Sequence, residues 1–308
     1  MKIINLSDCH LLATAPVCRT DNIIDIQFDK LHFVFDYAVM NGIKVILQAG
    51  DLVDTKRSWD LLPRLISLLK FYRDRKGVEL YMVKGQHDSY YHNMVNDKTI
   101  VGVLAGVELV HLLDSAPYSR REDGWEINIY GASYGEAVPE VTTKESNILV
   151  IHKQILMHKV FNKQEEYDYA PDFLHDHPEF DFILCGDAHQ KFYFKEGKRQ
   201  IVNTGCMLRL EASEACMVHH PQFCVYDIVT RKVEWVEIPH ADALDVISDA
   251  HLVAKKEKEK SFSEFVAKVK ETSGHKSMSF SRNMTLFLKR NNVDAGVKKI
   301  ISEYIAEV

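Results

Sequence analysis

The chain has 308 residues, 46% hydrophobic and 27% charged, the make-up of a soluble globular protein with length for one large domain and an appendage. No apolar run approaches the roughly 20 residues that cross a bilayer, and nothing before the first strand reads as a signal peptide, so a cytoplasmic protein with no membrane contact is expected. The net charge of −6 argues against nucleic-acid binding by the bulk of the chain, and six cysteines without a C-x-x-C pair fit reduced, packed thiols.

In chain order, the first strand is Lys2-Ile3-Ile4-Asn5-Leu6, which runs into Ser7-Asp8-Cys9-His10. If the backbone stays extended there, Asp8 and His10 point to one side and can hold one metal ion. Residues 25–40 place Ile26, Leu31, Val34, Phe35 and Ala38 on one helical face and stop at Asn41-Gly42. Residues 44–47 are a buried strand ending in Gly50-Asp51-Leu52-Val53-Asp54. A helix over 61–72 carries Pro63 in its first turn, and the strand over 78–83 delivers Gly85-Gln86-His87-Asp88. Strand, helix and strand at this spacing make the βαβ pattern of a mostly parallel sheet.

Farther on, residues 125–130 form an alternating strand, 147–151 deliver His152, and 181–185 deliver Gly186-Asp187-Ala188-His189. Residues 199–203 and 222–238 read as antiparallel strands, the latter a hairpin turning near Thr230-Arg231. Two halves of sheet packed face to face with outer helices would bring all of these turns to one rim, at the carboxyl ends of strands. After Pro239 the composition shifts to a charged, helix-prone tail, so a core over residues 1–240 and an appendage over 241–308 are expected. Residues 254–308 hold 12 Lys and Arg against 7 Asp and Glu, which leaves −11 on residues 1–253. The acidic excess suits a cation site. The basic tail is either the part that meets a polyanion or partner, or a solvated helix face.

Hydrolysing a phosphate ester near neutral pH needs an activated water and neutralised phosphoryl charge, and two metal ions ~3.5–4 Å apart supply both. They need a shared ligand, and Asp51, behind a glycine at a strand end, has the lone pairs to bridge. Mixed imidazole and carboxylate donors suit Mn, Fe, Zn or Co, and the absence of a cysteine cluster counts against structural zinc. One D-x-H or G-D-x-x-D turn arises by chance. Five in fixed order, each behind an apolar strand, resemble the calcineurin-like metallophosphoesterases. Within them, Leu11 after the first turn, the N-terminal site, the length and the strand-rich end of the core are similar to the SbcD branch, the nuclease subunit of SbcC–SbcD repair complexes.

The resemblance covers residues 1–240 and implies an α/β fold, a two-sheet metallophosphoesterase sandwich flanked by helices, with a short C-terminal helical appendage. It implies that Asp8, His10 and His189 hold a first metal, that Asp51 bridges, and that Gln86, His152 and Asp187 hold a second. His87 would give a proton to the leaving oxygen, and Asp54 would orient that imidazole through its other ring nitrogen. The implied activity is metal-dependent DNA hydrolysis, as exonuclease or endonuclease, in DNA repair and recombination. Its cofactors would be two divalent ions, Mn2+ foremost, with Mg2+, Fe or Zn as alternatives. The implied partners are DNA and an SbcC-like ATPase, and a homodimer stays open. Rival readings are a small-substrate phosphodiesterase or phosphatase, and a scaffold of the same fold with weakened catalysis.

Two departures motivate the last. The family's G-N-H-D reads Gly85-Gln86-His87-Asp88, and its G-H-x-H reads Gly186-Asp187-Ala188-His189. The first lengthens an amide ligand by a methylene, and the second puts a harder carboxylate where imidazole is usual. Both fall on the second metal, which is expected to bind more weakly or to favour Mn2+ or Mg2+. Asp88 reads as a residue pairing within its turn, and Cys9 as packed. Arg209, near Asn203-Thr204-Gly205-Cys206, is a candidate phosphate contact or a plain surface arginine. Tyr90, with Tyr91 and His92, is a candidate for stacking on a base or a core aromatic. In the tail, Phe262, Phe265, Val266 and Val269 make one helical stripe, and Val297, Ile300, Ile301, Tyr304 and Ile305 another. Docking on an ATPase and packing on the core are equally open for them.

Overall fold

A computed structural model describes residues 1–55, 58–89, 98–122, 124–141, 143, 145–158, 167–272 and 280–306. The chain divides into two compact units, Met1–Ser248 and Asp249–Val308. The first unit opens with β1 (Lys2–Leu6), α1 (Ile23–Met40), β2 (Val45–Gln48), α2 (Leu62–Phe71), β3 (Glu79–Met82), α3 (Ile100–Gly106) and β4 (His111–Leu112). It continues through β5 (Tyr118–Glu122), β6 (Trp125–Ala132), β7 (Ser146–His152), β8 (Ile155–Leu156), β9 (Asp168–Tyr169), α4 (Ala170–Asp176) and β10 (Phe182–Gly186). It closes with β11 (Phe192–Glu196), β12 (Arg199–Asn203), α5 (Glu214–Val218), β13 (Gln222–Asp227), β14 (Lys232–Glu237) and α6 (Ala243–Val246).

Two mixed six-stranded sheets form, ordered β14-β13-β1-β2-β3-β4 and β11-β12-β10-β7-β6-β5. Strands β1 to β4 run parallel, as do β6, β7, β10 and β12, and the antiparallel strands lie towards the edges. Alternate residues of the central strands serve different layers. Ile3, Val45, Leu47, Phe182 and Leu184 meet between the sheets, while Ile4 and Ile46 pack under α1 and α2, and Ile183 under α4. Burial on both faces explains why these strands read as continuous apolar runs. Across the sheet-to-sheet interface the rings of Phe182 and Tyr226 stack at 4.1 Å. The result is a helix–sheet–sheet–helix sandwich, as the resemblance implies.

The helix expected over 61–72 is instead a composite. A 3-10 turn at Trp59–Leu61 leads into α2, and a π turn at Tyr72–Lys76 ends it at Gly77. Its apolar residues keep contact with the first sheet through Leu65, Leu68, Leu69 and Tyr72, so the burial pattern survives the change of winding. The strands β4, β5 and β11 had no clear signal, because edge strands are short or carry charge, as in Tyr118–Glu122 (YSRRE). The first unit continues past Pro239 because Ala243, Val246 and Ile247 pack with Cys18. All six cysteines are free thiols.

The second unit contains α7 (Ala250–Thr272), α8 (Phe280–Arg290) and α9 (Ala295–Ala306). Phe265, Met284, Leu288 and Ile301 make its small core, and Val266 and Val297 pack against it. Phe262, Ile300 and Tyr304, also on the expected stripes, are exposed.

Candidate metal centre

The turns after β1, β2, β3 and β10, and the last residue of β7, converge at the carboxyl ends of parallel strands. They do so by a route the sequence conceals. Asp8 and His10 do not stay extended. Their φ values are 45° and 44°, and Asp51 and Asp187 also take positive φ, at 54° and 77°. These are four of the six non-glycine residues in that conformation among the described residues. Such a backbone costs on the order of 1–3 kcal/mol per residue, and it persists only where its surroundings over-determine it.

Here they do. His10 N–H donates to the Asp51 carbonyl (2.9 Å) and Leu11 N–H to that of Leu52 (3.0 Å). Ser7 N–H donates to Thr204 Oγ1 (2.9 Å), and Met207 N–H to the Asp8 carbonyl (3.0 Å), so the loop after β12 grips the first turn. The buried Asp88 carboxylate accepts from the backbone N–H groups of Leu52 (3.0 Å), Val53 (3.3 Å) and Gly85 (3.0 Å), tying two turns together. Glycine is required at two close approaches. A Cβ on Gly50 would lie 2.3 Å from His152 Nδ1, and one on Gly85 would lie 2.0 Å from Asp51 Oδ1.

The side chains so positioned form one cluster. Asp8, His10 and His189 present donor atoms to one another, as do Asp8, Asp51 and His152, and as do His10, Asp51 and His87. His10 and His189 face each other Nε2 to Nε2 at 3.0 Å. Gln86 reaches the cluster despite its extra methylene. Its Oε1 lies 2.7 Å from His152 Nε2, and its Nε2 donates to Asp187 Oδ1 (2.7 Å). The two departures from the family pattern therefore touch each other, the longer amide bridging the imidazole and the carboxylate.

Divalent cations fit this donor set. Asp8 Oδ2 and Asp51 Oδ2 are buried acceptors with no hydrogen-bond partner among the described residues. Leaving such atoms unpaired is costly unless a cation meets them. His152 Nδ1 lies 2.5 Å from the Ala49 carbonyl, so its N–H points there and Nε2 faces Asp51 Oδ2 at 3.3 Å. That is the arrangement by which a carbonyl fixes the tautomer of a metal-binding imidazole.

Without an ion, protons take up part of the charge. Burial alone lowers His152, but the adjacent Asp51 and the charge of Asp8 outweigh it and push its pKa up to about 10. Burial and the charge of His10 pull His189 down to about 4, leaving it a neutral donor. Burial raises Asp8 to about 6. A cation taken up at His152 Nε2 would displace its proton, so binding there would be proton-linked, and affinity should rise with pH up to about 10. At pH 8 we expect release of about one proton or more per protein, read from calorimetric heats in buffers of different ionisation enthalpy. A proton count of zero would show that His152 is not displaced.

Two expected roles change. Asp54 holds His87 by its backbone carbonyl, 2.5 Å from Nδ1, and not by its carboxylate. The carboxylate turns to His10 instead, with Oδ1 3.7 Å from Nδ1. Arg209 is no phosphate contact. It is 4% exposed, and its guanidinium donates to the carbonyls of His219 (2.8 Å) and Ala241 (2.7 Å), clamping two segments. Tyr90, Tyr91 and His92 lie outside the described residues. Sequence reasoning missed the carbonyls of Ala49 and Asp54, which no side-chain pattern announces. A cleft of about 1120 Å³ opens over the cluster, lined by His10, Asp54, His87 and His189 and walled by Leu208 and His219.

A family model for calcineurin-like phosphoesterases matches residues 1–191. Exonuclease subunit 1 of Enterobacteria phage T4 is 26% identical over 198 residues, covering 61% of this chain and 55% of that protein. The chain thus spans about half the length of that curated relative. Among solved structures, a putative 5'-nucleotidase from Staphylococcus aureus is similar at a TM-score of 0.48 and 10% identity, over 84% of this chain and 58% of that one. An archaeal phosphodiesterase is similar at a TM-score of 0.41 and 10% identity, over 77% of this chain and 99% of that one. With more than half of its length matched by the family model, the chain belongs to the calcineurin-like phosphoesterases, metal-dependent hydrolases of phosphate esters.

Proposed function

We propose that this chain is an SbcD-type nuclease subunit, cleaving phosphodiester bonds of DNA in repair or recombination, in the cytoplasm, with an SbcC-like ATPase. The observation that carries the reading is the convergence of Asp8, His10, Asp51, His152 and His189 around two buried, unpartnered carboxylate oxygens, with His87 at the cleft. The similarity to a phage exonuclease subunit supports DNA as substrate.

In this reading Asp8, His10 and His189 hold one divalent ion, Gln86, His152 and Asp187 the other, and Asp51 is shared. Mn2+ is the foremost candidate because Asp187 and Gln86 add oxygen donors to the second position. The ions, when bound, would neutralise phosphoryl charge and activate a water. The chain's own residues do the rest. Asp51 Oδ1 accepts from His87 N–H (2.9 Å), which fixes the backbone of the proton donor against the shared ligand. The Asp54 carbonyl accepts from His87 Nδ1–H, so in the imidazolium form it is the Nε2 proton that passes to the leaving oxygen, and the ring is left neutral with its Nδ1–H still held.

One observation favours a second reading, a hydrolase of small phosphodiesters. Lys191 is the one Lys or Arg among the described residues lining the cleft, and its Nζ donates to Gln222 Oε1 at 2.6 Å. Binding of a long polyanion ordinarily uses several such cations. The deciding measurement pairs DNA of defined ends with a chromogenic phosphodiester, each with Mn2+. Nucleotide release or nicking supports the nuclease. Turnover of the small diester with DNA left intact selects the second reading, and no turnover of either by metal-loaded protein leaves the scaffold.

A further inference from the structure

We propose that His220, Glu237 and His240 form a separate site for one zinc-type divalent ion, remote in sequence from the five converging turns. The three residues present their donor atoms to one another. His220 Nδ1 and His240 Nε2 lie 3.5 and 3.6 Å from the same oxygen, Glu237 Oε1. Those separations are too long for N–H···O hydrogen bonds, which span about 2.7–3.2 Å. They match the edge of a coordination tetrahedron, since donors ~2.1 Å from one ion sit about 3.4 Å apart. The two imidazoles meet edge to face, with ring centres 5.2 Å apart, both turned to the carboxylate.

A second, independent feature points to a ligand. His240 Nδ1 lies 2.8 Å from the Ile238 carbonyl, so its N–H is used there and the Nε2 lone pair faces Glu237. This is the device that fixes His152 in the main centre, and it prepares an imidazole to bind a cation. His240 is 10% exposed and supplies the anchored donor, while His220 and Glu237 are each 63% exposed and leave the approach open. Two imidazoles with one carboxylate, and a fourth position for water, is a zinc donor set.

The location gives the ion a task. His220 precedes β13, Glu237 ends β14 opposite Gln222, and His240 lies on the segment leading to α6. An ion here would staple both ends of the hairpin to that segment. Arg209 secures the same junction from the inside, through the carbonyls of His219 and Ala241. His219 lines the cleft, so the staple would stiffen one cleft wall without touching the reacting atoms.

The test uses the full chain, stripped by chelator and titrated with Zn2+ against a chromophoric competitor, beside His220→Ala and Glu237→Gln. Wild type should bind one equivalent more than either variant, and its Zn2+-induced rise in melting temperature should be larger. Both changes fall on exposed side chains, and melting curves of the stripped proteins confirm folding. The same Zn2+ count in all three proteins overturns the proposal, and it does so whether or not the main centre hydrolyses DNA.

Discussion

Asp51→Asn should lower phosphodiester hydrolysis by at least ~100-fold and reduce the bound metal. Changing an outer partner of a metal ligand already costs roughly 10–100-fold in affinity or activity, and Asp51 is proposed as the ligand shared by both ions. The substitution is nearly isosteric. An Asn Oδ1 can still accept the His87 N–H, so the turn keeps its backbone anchor. What is lost is a charge at Oδ2, the buried oxygen facing His152 at 3.3 Å and His10 at 3.7 Å. An amide N–H in that place would face two imidazole nitrogens and repel a cation. Because Asp51 is the chief influence raising His152, the variant should also release fewer protons when metal is added. Metal content by mass spectrometry, calorimetric proton counts and initial rates check these together. Rates within about threefold of wild type with a full metal complement would remove Asp51 from the shared position.

The reach and the limit of the sequence both show at Asp51. That it follows a buried strand was legible, because Val45-Ile46-Leu47 is a continuous apolar run and Gly50 comes shortly after it. The same holds for β1, β7 and β10, whose double-sided burial writes continuous apolar runs, so the sandwich and the clustering of its turns could be anticipated. The conformation inside the turns could not. Positive φ at Asp8, His10 and Asp51 is imposed by tertiary hydrogen bonds from neighbouring turns, which leave no periodic trace. Nor can a sequence announce a backbone carbonyl. Ala49 and Asp54 orient His152 and His87 through main-chain oxygens that every residue type carries. Arg209 failed as a phosphate contact for the opposite reason, since a guanidinium beside a site is equally suited to bind backbone carbonyls, and burial at 4% exposure decides which. Gln86 and Asp187 stood out singly as departures, but their direct hydrogen bond at 2.7 Å makes them one coupled change.

The second large effect is expected at His87. His87→Gln should lower kcat for DNA by about 10²–10⁴-fold, the range for removing a positioned general acid, with metal content unchanged. In the proposed mechanism the imidazole delivers a proton and does not serve only to bind an ion. Its ring packs edge-on against His10 with centres 4.9 Å apart, its Nδ1 is engaged by the Asp54 carbonyl, and its backbone is tied to Asp51. Proton donation matters most when the leaving group is a poor one, such as the alkoxide of a deoxyribose. It matters little for a nitrophenolate, which departs as a stable anion. The variant should therefore lose far less of its rate on a chromogenic nitrophenyl diester than on DNA, and the ratio of the two losses reports the role. Equal losses on both substrates, with metal retained, would mean that His87 positions the phosphate and leaves protonation to solvent. Loss of metal would instead make it a ligand, as its place beside His10 and Asp51 would then allow.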